Sequence, residues 1–143
     1  MAGNHSYTTN FNIEILIGTL GMKRLLNTSI FKKKGYFILS PSVQNTASWF
    51  DLRKVNLDKY DNRSEKGYLL IRLRSIFLLA DLHSFSSTMI SEDTSAVSAN
   101  SGVHWRFAVS QDNKSNYSII NFFNKRAFNL QEITTKDLIA VFN

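Results

Sequence analysis

The stretch KGYLLIRLR at residues 66–74 sets two arginines and a tyrosine among four large aliphatic side chains. Its apolar and aromatic content predicts a β-strand. Because side chains alternate between the two faces of a strand, Leu69, Ile71 and Leu73 share one face, and we expect that face to lie in the core. The opposite face carries the remaining side chains, Tyr68, Leu70, Arg72 and Arg74.

The arginines of this strand indicate what the second face binds. An arginine cannot leave water without a partner, and its planar guanidinium group suits phosphate oxygens or the acceptor edge of guanine. Exposed Arg72 and Arg74 beside Tyr68 therefore favour nucleic acid. The alternative is structural, because arginines also pair with carboxylates on a neighbouring strand, and Asp51 and Asp58 lie on the predicted partner strand.

That partner strand is predicted at residues 49–57, WFDLRKVNL. The polar, glycine-containing segment that follows it predicts a turn, so the simplest connection to residues 68–74 is an antiparallel hairpin. Basic side chains of the two strands would then form a patch with aromatic neighbours, extended by a run of three lysines. The predicted nucleic-acid-binding residues are Trp49, Arg53, Lys54, Tyr68, Arg72, Arg74, Lys32, Lys33 and Lys34.

Charge along the chain supports the same surface. The net charge is +6, but residues 23–74 alone carry 12 cations and 4 carboxylates, so the rest of the chain is slightly acidic. A regional field of this kind attracts polyanions. Double-stranded DNA is the partner we expect, with RNA as the alternative. The alternatives are a basic face kept only for solubility, or one that binds an anionic membrane surface or another acidic partner.

Composition sets the class of protein. A chain of 143 residues with 43% hydrophobic content can bury one core, so we expect a single domain over residues 1–143. The lack of cysteine excludes disulfides, thiol nucleophiles and cysteine-ligated metals. No apolar run reaches the roughly 18 residues of a membrane span, and no secretory signal is visible. We therefore expect a cytoplasmic protein without a membrane partner.

Periodicity predicts the remaining elements. The expected fold class is α+β, a mixed and mainly antiparallel sheet with an N-terminal and a C-terminal helix. The predicted elements are a helix at 11–27 with a break near Gly21, strands at 36–40 and 76–83 (the latter strand or helix), a flexible loop at about 84–102, a hairpin of 103–110 with 117–123, and a helix after Thr134.

Catalytic groups are sought among the carboxylates and the histidines. On a strand, Asp81 and His83 would point the same way and could form a general-base pair. Asp51 lies on a strand as in metal-dependent nucleases, although the next strand lacks the acidic partner of that site. A nuclease or a base-excising enzyme using Asp51, Asp81 or His83 is thus the enzymatic alternative. No cofactor is evident, and Mg²⁺ is implied only if the protein is a nuclease.

Three runs of the sequence carry a resemblance to a known family. They are SPSVQNTASWFDLRKVNLDKY at 40–60, KGYLLIRLR at 66–74 and SGVHWRFAVSQDNKSNYSIIN at 101–121. Together they resemble parts of prokaryotic type II restriction endonucleases outside the catalytic motif. The resemblance spans about residues 36–125. It implies binding of double-stranded DNA, possible assembly as a homodimer, and catalytic carboxylates that are missing, divergent or supplied elsewhere.

Aromatic residues support a third alternative. Trp105, Phe122 and Phe123 are candidates for an exposed apolar surface, which would make the protein an interaction or oligomerisation module. This alternative predicts self-association and no salt-sensitive affinity for DNA.

Overall fold

A computed structural model describes residues 13–43, 48–100 and 102–142. Its strands are β1 Lys23–Arg24, β2 Ile30–Lys33, β3 Tyr36–Leu39, β4 Ser42–Val43, β5 Trp49–Arg53, β6 Lys66–Leu73, β7 Ile76–Asp81, β8 Ala96–Ser98, β9 Gly102–Gln111, β10 Tyr117–Asn121 and β11 Ala127–Ile133. Its helical elements are a π-helical turn Glu14–Thr19, α1 Lys54–Leu57, α2 Leu82–Met89, a 3-10 turn Glu92–Thr94 and α3 Thr135–Phe142. The predicted α+β class, with a mixed and mainly antiparallel sheet, is confirmed.

The strands form one continuous sheet whose order differs from the predicted one. Across the sheet the order is β1-β2-β3-β6-β7-β11-β10-β9-β5, with β4 beside β6 and β8 beside β9. The predicted antiparallel hairpin of β5 with β6 is wrong, because β5 pairs with β9 while β6 lies between β3 and β7. The β3–β6 pair is parallel, and parallel neighbours need a long crossover. The chain that holds β4, β5 and α1 is that crossover.

Strand β6 is buried on both faces. Leu69 and Ile71 join side chains of β5, β9 and α2 in one core, so the sheet curls around this core and brings β5 back towards β6. Leu70 belongs to a second core on the other face, which is covered by α3 and by the π-helical turn. Only a strand enclosed by two layers buries successive residues in this way.

The N-terminal element is shorter than predicted. The π-helical turn ends before Gly21, whose φ of +70° suits a residue without a side chain, and β1 follows directly. The predicted break near Gly21 is therefore confirmed, whereas a helix running on to residue 27 is wrong. Residues 11 and 12 of the predicted helix lie outside the described residues.

Two other predictions need correction. The strand predicted at 49–57 ends at Arg53, and α1 follows it. The loop predicted at about 84–102 contains most of α2, the 3-10 turn and β8. Helix α2 forms because Asp81 caps it, accepting a hydrogen bond from Ser84 N at 2.8 Å, and because Leu82, Phe85 and Met89 place one apolar face in the core.

The C-terminal half follows the predicted pattern. Strands β9 and β10 pair as the expected antiparallel hairpin. Helix α3 starts where expected, and Thr134 Oγ1 accepts a hydrogen bond from Asp137 N at 3.2 Å. None of the helices in the described ranges is both long enough and apolar enough to cross a bilayer.

Candidate nucleic-acid interface

The predicted outer face of β6 is not exposed. Arg72 is only 4% exposed, and its Nε donates a hydrogen bond to the carbonyl oxygen of Arg74 at 2.7 Å. Its guanidinium group lies 4.7 Å from the centre of the Phe77 ring. Tyr68 is half-buried under α3, edge-on to Phe142. The prediction that this face is open to a partner is therefore wrong, because the second core covers it.

Arg74 is exposed but lies in the turn after β6, with a φ of +51°. Arg53 and Lys54 are exposed at the junction of β5 and α1, where Lys54 Nζ lies 2.6 Å from the Asp58 carboxylate. Strand β5 is at the edge of the sheet, and four strands lie between it and β6 in the pairing order. The structure therefore does not bring Arg53 and Arg72 together in one exposed patch.

The lysine run, by contrast, lies at an open cavity. This cavity, the basic groove, has a volume of about 410 Å³. Its lining residues are Gly21, Lys23, Lys32, Lys33, Lys34, Gly35 and Glu65. A Cβ atom added at Gly21 or at Gly35 would meet no atom within 4 Å, so the space above both glycines is open.

The groove is strongly positive. Four lysines and one glutamate line it, which leaves a net of three positive charges. Lys32 Nζ lies 2.8 Å from Glu65 Oε2, so the single carboxylate is already engaged. Strand pairing explains the convergence, because Lys23 of β1 is directly opposite Lys32 of β2 and Lys34 follows in the β2–β3 turn. The groove therefore carries a local positive field, which attracts anions.

Among the four groove lysines, Lys23 is the one absent from the predicted site. A helix was expected at residues 11–27, and in a helix Lys23 would have no fixed relation to the lysine run. A break near Gly21 was predicted, but the helix was expected to continue beyond it, whereas the chain turns at Gly21 and enters β1. Reading that glycine as the end of the helix places Lys23 on an extended segment that can pair with residues 30–33.

The candidate catalytic residues are each held by a different partner. Asp51 accepts hydrogen bonds from Arg106 Nε at 2.8 Å and Nη2 at 3.0 Å. His83 lies in α2, with its Nδ1 3.2 Å from the amide nitrogen of Asn62. Among the residues that the structure describes, no group of three histidine or carboxylate side chains is arranged to hold a metal ion.

Asp81 is similarly engaged. One of its oxygens lies 2.6 Å from Lys66 Nζ and the other accepts the Ser84 N–H. Burial acts to raise the pKa of Asp81, but the hydrogen bonds from Lys66 and Ser84 outweigh it, and the pKa falls below the usual 3.8. The hydrogen bond to Asp81 raises the pKa of Lys66 above 10.5. Both groups are charged at neutral pH, which suits an ion pair and not a proton-transfer role.

The aromatic candidates separate into two groups. Trp105 is 4% exposed, and its indole N–H donates to the carbonyl oxygen of Ser91 at 2.7 Å, so the prediction that it lies at the surface is wrong. Phe122 and Phe123 are 45% and 73% exposed. Trp49 is half-buried, with the Arg106 guanidinium group 4.0 Å above its ring.

No protein-family model matches the chain, and neither the curated proteins nor the solved structures include a significant match to it. The resemblance to type II restriction endonucleases therefore stays a prediction.

Proposed function

We propose that this protein is a cytoplasmic nucleic-acid-binding domain that holds the phosphate backbone of DNA in the basic groove. One observation carries the proposal: four lysines from two strands and a turn line one open cavity that contains a single, already paired carboxylate. Lysine binds phosphate as a compact point charge and does not require the fixed geometry of arginine. The groove therefore suits a sugar-phosphate backbone, which repeats its charge, and does not by itself read base sequence.

Strand geometry supports a linear ligand. Lys23 and Lys32 extend from adjacent strands, and Lys34 lies at the turn that leaves β2. Neighbouring strands are about 4.8 Å apart and phosphates follow one another about every 3.4 Å along the axis of one DNA strand, a difference that long, flexible lysine side chains can span. A chain of phosphates can thus contact several of these lysines at once.

The proposal does not extend to catalysis. The carboxylates of Asp51 and Asp81 are each bound to a cation, so a metal or a proton would have to displace Arg106 or Lys66 to use them. The alternative is a nuclease that uses Mg²⁺, and the binding experiment below also tests for DNA cleavage.

The test is a titration of a fluorescein-labelled DNA duplex over a series of potassium chloride concentrations, with and without MgCl₂. The informative variant is Lys33→Gln with Lys34→Gln, and the matched control is Lys114→Gln with Lys136→Gln, which removes two exposed lysines elsewhere. Each phosphate contact contributes about −0.9 to the slope of log K against log salt. We expect the groove variant to reduce that slope by roughly 2 and the control to leave it unchanged.

Equal slopes for both variants would contradict the proposal. Duplex RNA in the same titration distinguishes DNA from RNA. Shortened products that appear only with magnesium would favour the nuclease alternative.

A further inference from the structure

A second cavity, of about 460 Å³, lies over β9. In the strand order, β9 is near the opposite end of the sheet from β1 and β2, which carry the basic groove. Strand β9 explains its position. On one side of β9, His104 and Phe107 both pair with β5. On the other side, His104 pairs with Ala96 of β8 and Phe107 pairs with Asn121 of β10. The cavity occupies the gap between the start of β8 and the turn that follows β10.

Exposed apolar side chains form its walls. Val97 is 76% exposed, and the two adjacent phenylalanines Phe122 and Phe123 are 45% and 73% exposed. The turn that carries the phenylalanines is held in place by Asn121, which is 1% exposed. Its Oδ1 accepts hydrogen bonds from Phe123 N at 2.8 Å and from Asn124 N at 3.2 Å. The turn that carries the two aromatic rings is therefore fixed by side-chain hydrogen bonds.

A clamped arginine provides the charge. Arg106 lines the cavity and is fixed by Asp51 through Nε and Nη2 and by the Trp49 ring 4.0 Å away. Its Nη1 makes no hydrogen bond to any residue in the described ranges, so this edge can bind an acceptor. Phe122 lies 5.9 Å from the guanidinium group. An aromatic ring and an anion-binding group therefore adjoin one another.

A histidine completes the lining. His104 Nδ1 lies 3.0 Å from the Gly102 carbonyl oxygen, and because a carbonyl can only accept, Nδ1 donates this hydrogen bond.

We propose that this pocket binds a mononucleotide: its base stacks on Phe122 and Phe123, and its phosphate is bound by Arg106. The volume lies within the range of small-molecule sites, which are mostly apolar with a few polar groups. Glu92 and Asp93 immediately precede Thr94, a lining residue, and their negative charge should disfavour a chain of phosphates more than a single phosphate. This site does not depend on the basic groove, and a free nucleotide and an unpaired nucleotide of a strand share its chemistry.

The test is calorimetric titration of the full chain with adenosine monophosphate, adenosine, adenosine triphosphate and inorganic phosphate. We expect the monophosphate to bind, adenosine and phosphate alone to bind at least about tenfold more weakly, and the triphosphate to bind no more tightly. Phe123→Ala should weaken the monophosphate about tenfold without changing the melting temperature, since stacking on this exposed ring is lost. The matched control is Leu26→Ala, which truncates another exposed apolar residue.

A second variant, Arg106→Lys, keeps a cation beside Asp51 but removes the guanidinium fork, and it should remove the preference for the monophosphate over adenosine. A short single-stranded oligonucleotide, added before the monophosphate, distinguishes the two sources of the ligand: competition indicates that the pocket also takes a base within a strand. Three results would overturn the proposal: no binding of the monophosphate, wild-type binding by Phe123→Ala, or phosphate binding as tightly as the monophosphate.

Discussion

Lys23 lies directly opposite Lys32 across the β1–β2 pair, so two positive side chains face each other at the edge of the sheet. Like charges in this relation destabilise a sheet. A protein that keeps such a pair gives up some stability at this edge, and an anion that binds between the lysines would relieve the repulsion. Stability and binding should therefore respond to Lys23 in opposite directions.

The first prediction concerns Lys23→Gln. Removing the charge should raise the free energy of unfolding by less than about 1 kcal/mol, because the repulsion from Lys32, which Glu65 already offsets in part, is lost. The same change should weaken DNA binding and reduce the salt slope by roughly 0.9. Urea denaturation and the duplex titration measure the two effects, with Lys114→Gln as the control. A variant that loses stability and keeps full affinity would show that Lys23 has a structural role only.

The second prediction concerns the Lys66–Asp81 ion pair. Asp81→Asn keeps the cap of α2 but removes the pair, and should cost about 0.2–1 kcal/mol at neutral pH because both side chains are partly exposed. Asp81→Ala also removes the cap and should cost a further 0.5–2 kcal/mol, approximately. Circular dichroism during urea unfolding gives both values, and equal costs would mean that the cap contributes nothing.

The difference in free energy of unfolding between the wild type and Asp81→Asn should shrink in both acid and alkali. The pKa of Asp81 is lowered in the folded protein, so its contribution is present above the usual 3.8 and is lost as the pH falls below it. The pKa of Lys66 is raised, so its contribution is present below 10.5 and is lost as the pH rises above it. The gap between the wild type and Asp81→Asn should therefore be constant near neutrality and close at both extremes. A gap that persists well below pH 3.8 would contradict this assignment.

The third prediction concerns Gly67. A Cβ atom at this position would lie 2.6 Å from Cζ of Tyr60, whose ring also packs against Phe37. Gly67→Ala should therefore lower the free energy of unfolding by about 1–3 kcal/mol. In a Tyr60→Ala background the same change should cost much less, because the ring is gone. A cycle of thermal unfolding experiments measures the coupling, and additive costs would show that Tyr60 moves aside freely.

The fourth prediction concerns Arg74. Its φ of +51° is unfavourable for a residue with a side chain, so Arg74→Gly should raise the free energy of unfolding by up to about 1 kcal/mol. The groove residues Gly35 and Glu65 adjoin the first residue of β6 whereas Arg74 follows its last, which is roughly 26 Å away at about 3.3 Å per residue. DNA affinity should therefore not change. Arg74→Ala removes the cation but keeps the strain, and a shared loss of affinity in both variants would place the binding surface at this turn.

Much of the fold was predictable from local patterns. Alternating apolar residues predicted the β9–β10 hairpin, and the threonine before TKDLIAVF predicted α3. The pairing of β6 with β3 was not predictable from local sequence, because a long connection separates the two parallel strands. A usable signal was Leu70, which lies on the supposed outer face beside Arg72 and is fully buried. An aliphatic residue on both faces indicates a strand with a layer on each side.

The serine-rich segment shows how composition can hide an element. Its polar residues suggested a loop, but Leu82, Phe85 and Met89 recur at helical spacing after a capping aspartate. For the site, the lysine run was identified, while Arg53, Arg72 and Arg74 were expected together on the basis of a strand pair that does not form. Predicting that Arg53 and Arg72 lie apart requires the register of distant strands, which no local pattern encodes.

The parallel β3–β6 pair also determines when the groove can exist. Its wall combines Gly35, just before β3, with Glu65, just before β6, and Lys66 N donates to Gly35 O at 2.8 Å. About 30 residues separate these positions, so a long loop must close before the wall is assembled, and such contacts form late in folding. An anion bound at the groove would thus stabilise the native state after the rate-limiting step, and it would slow unfolding more than it speeds folding.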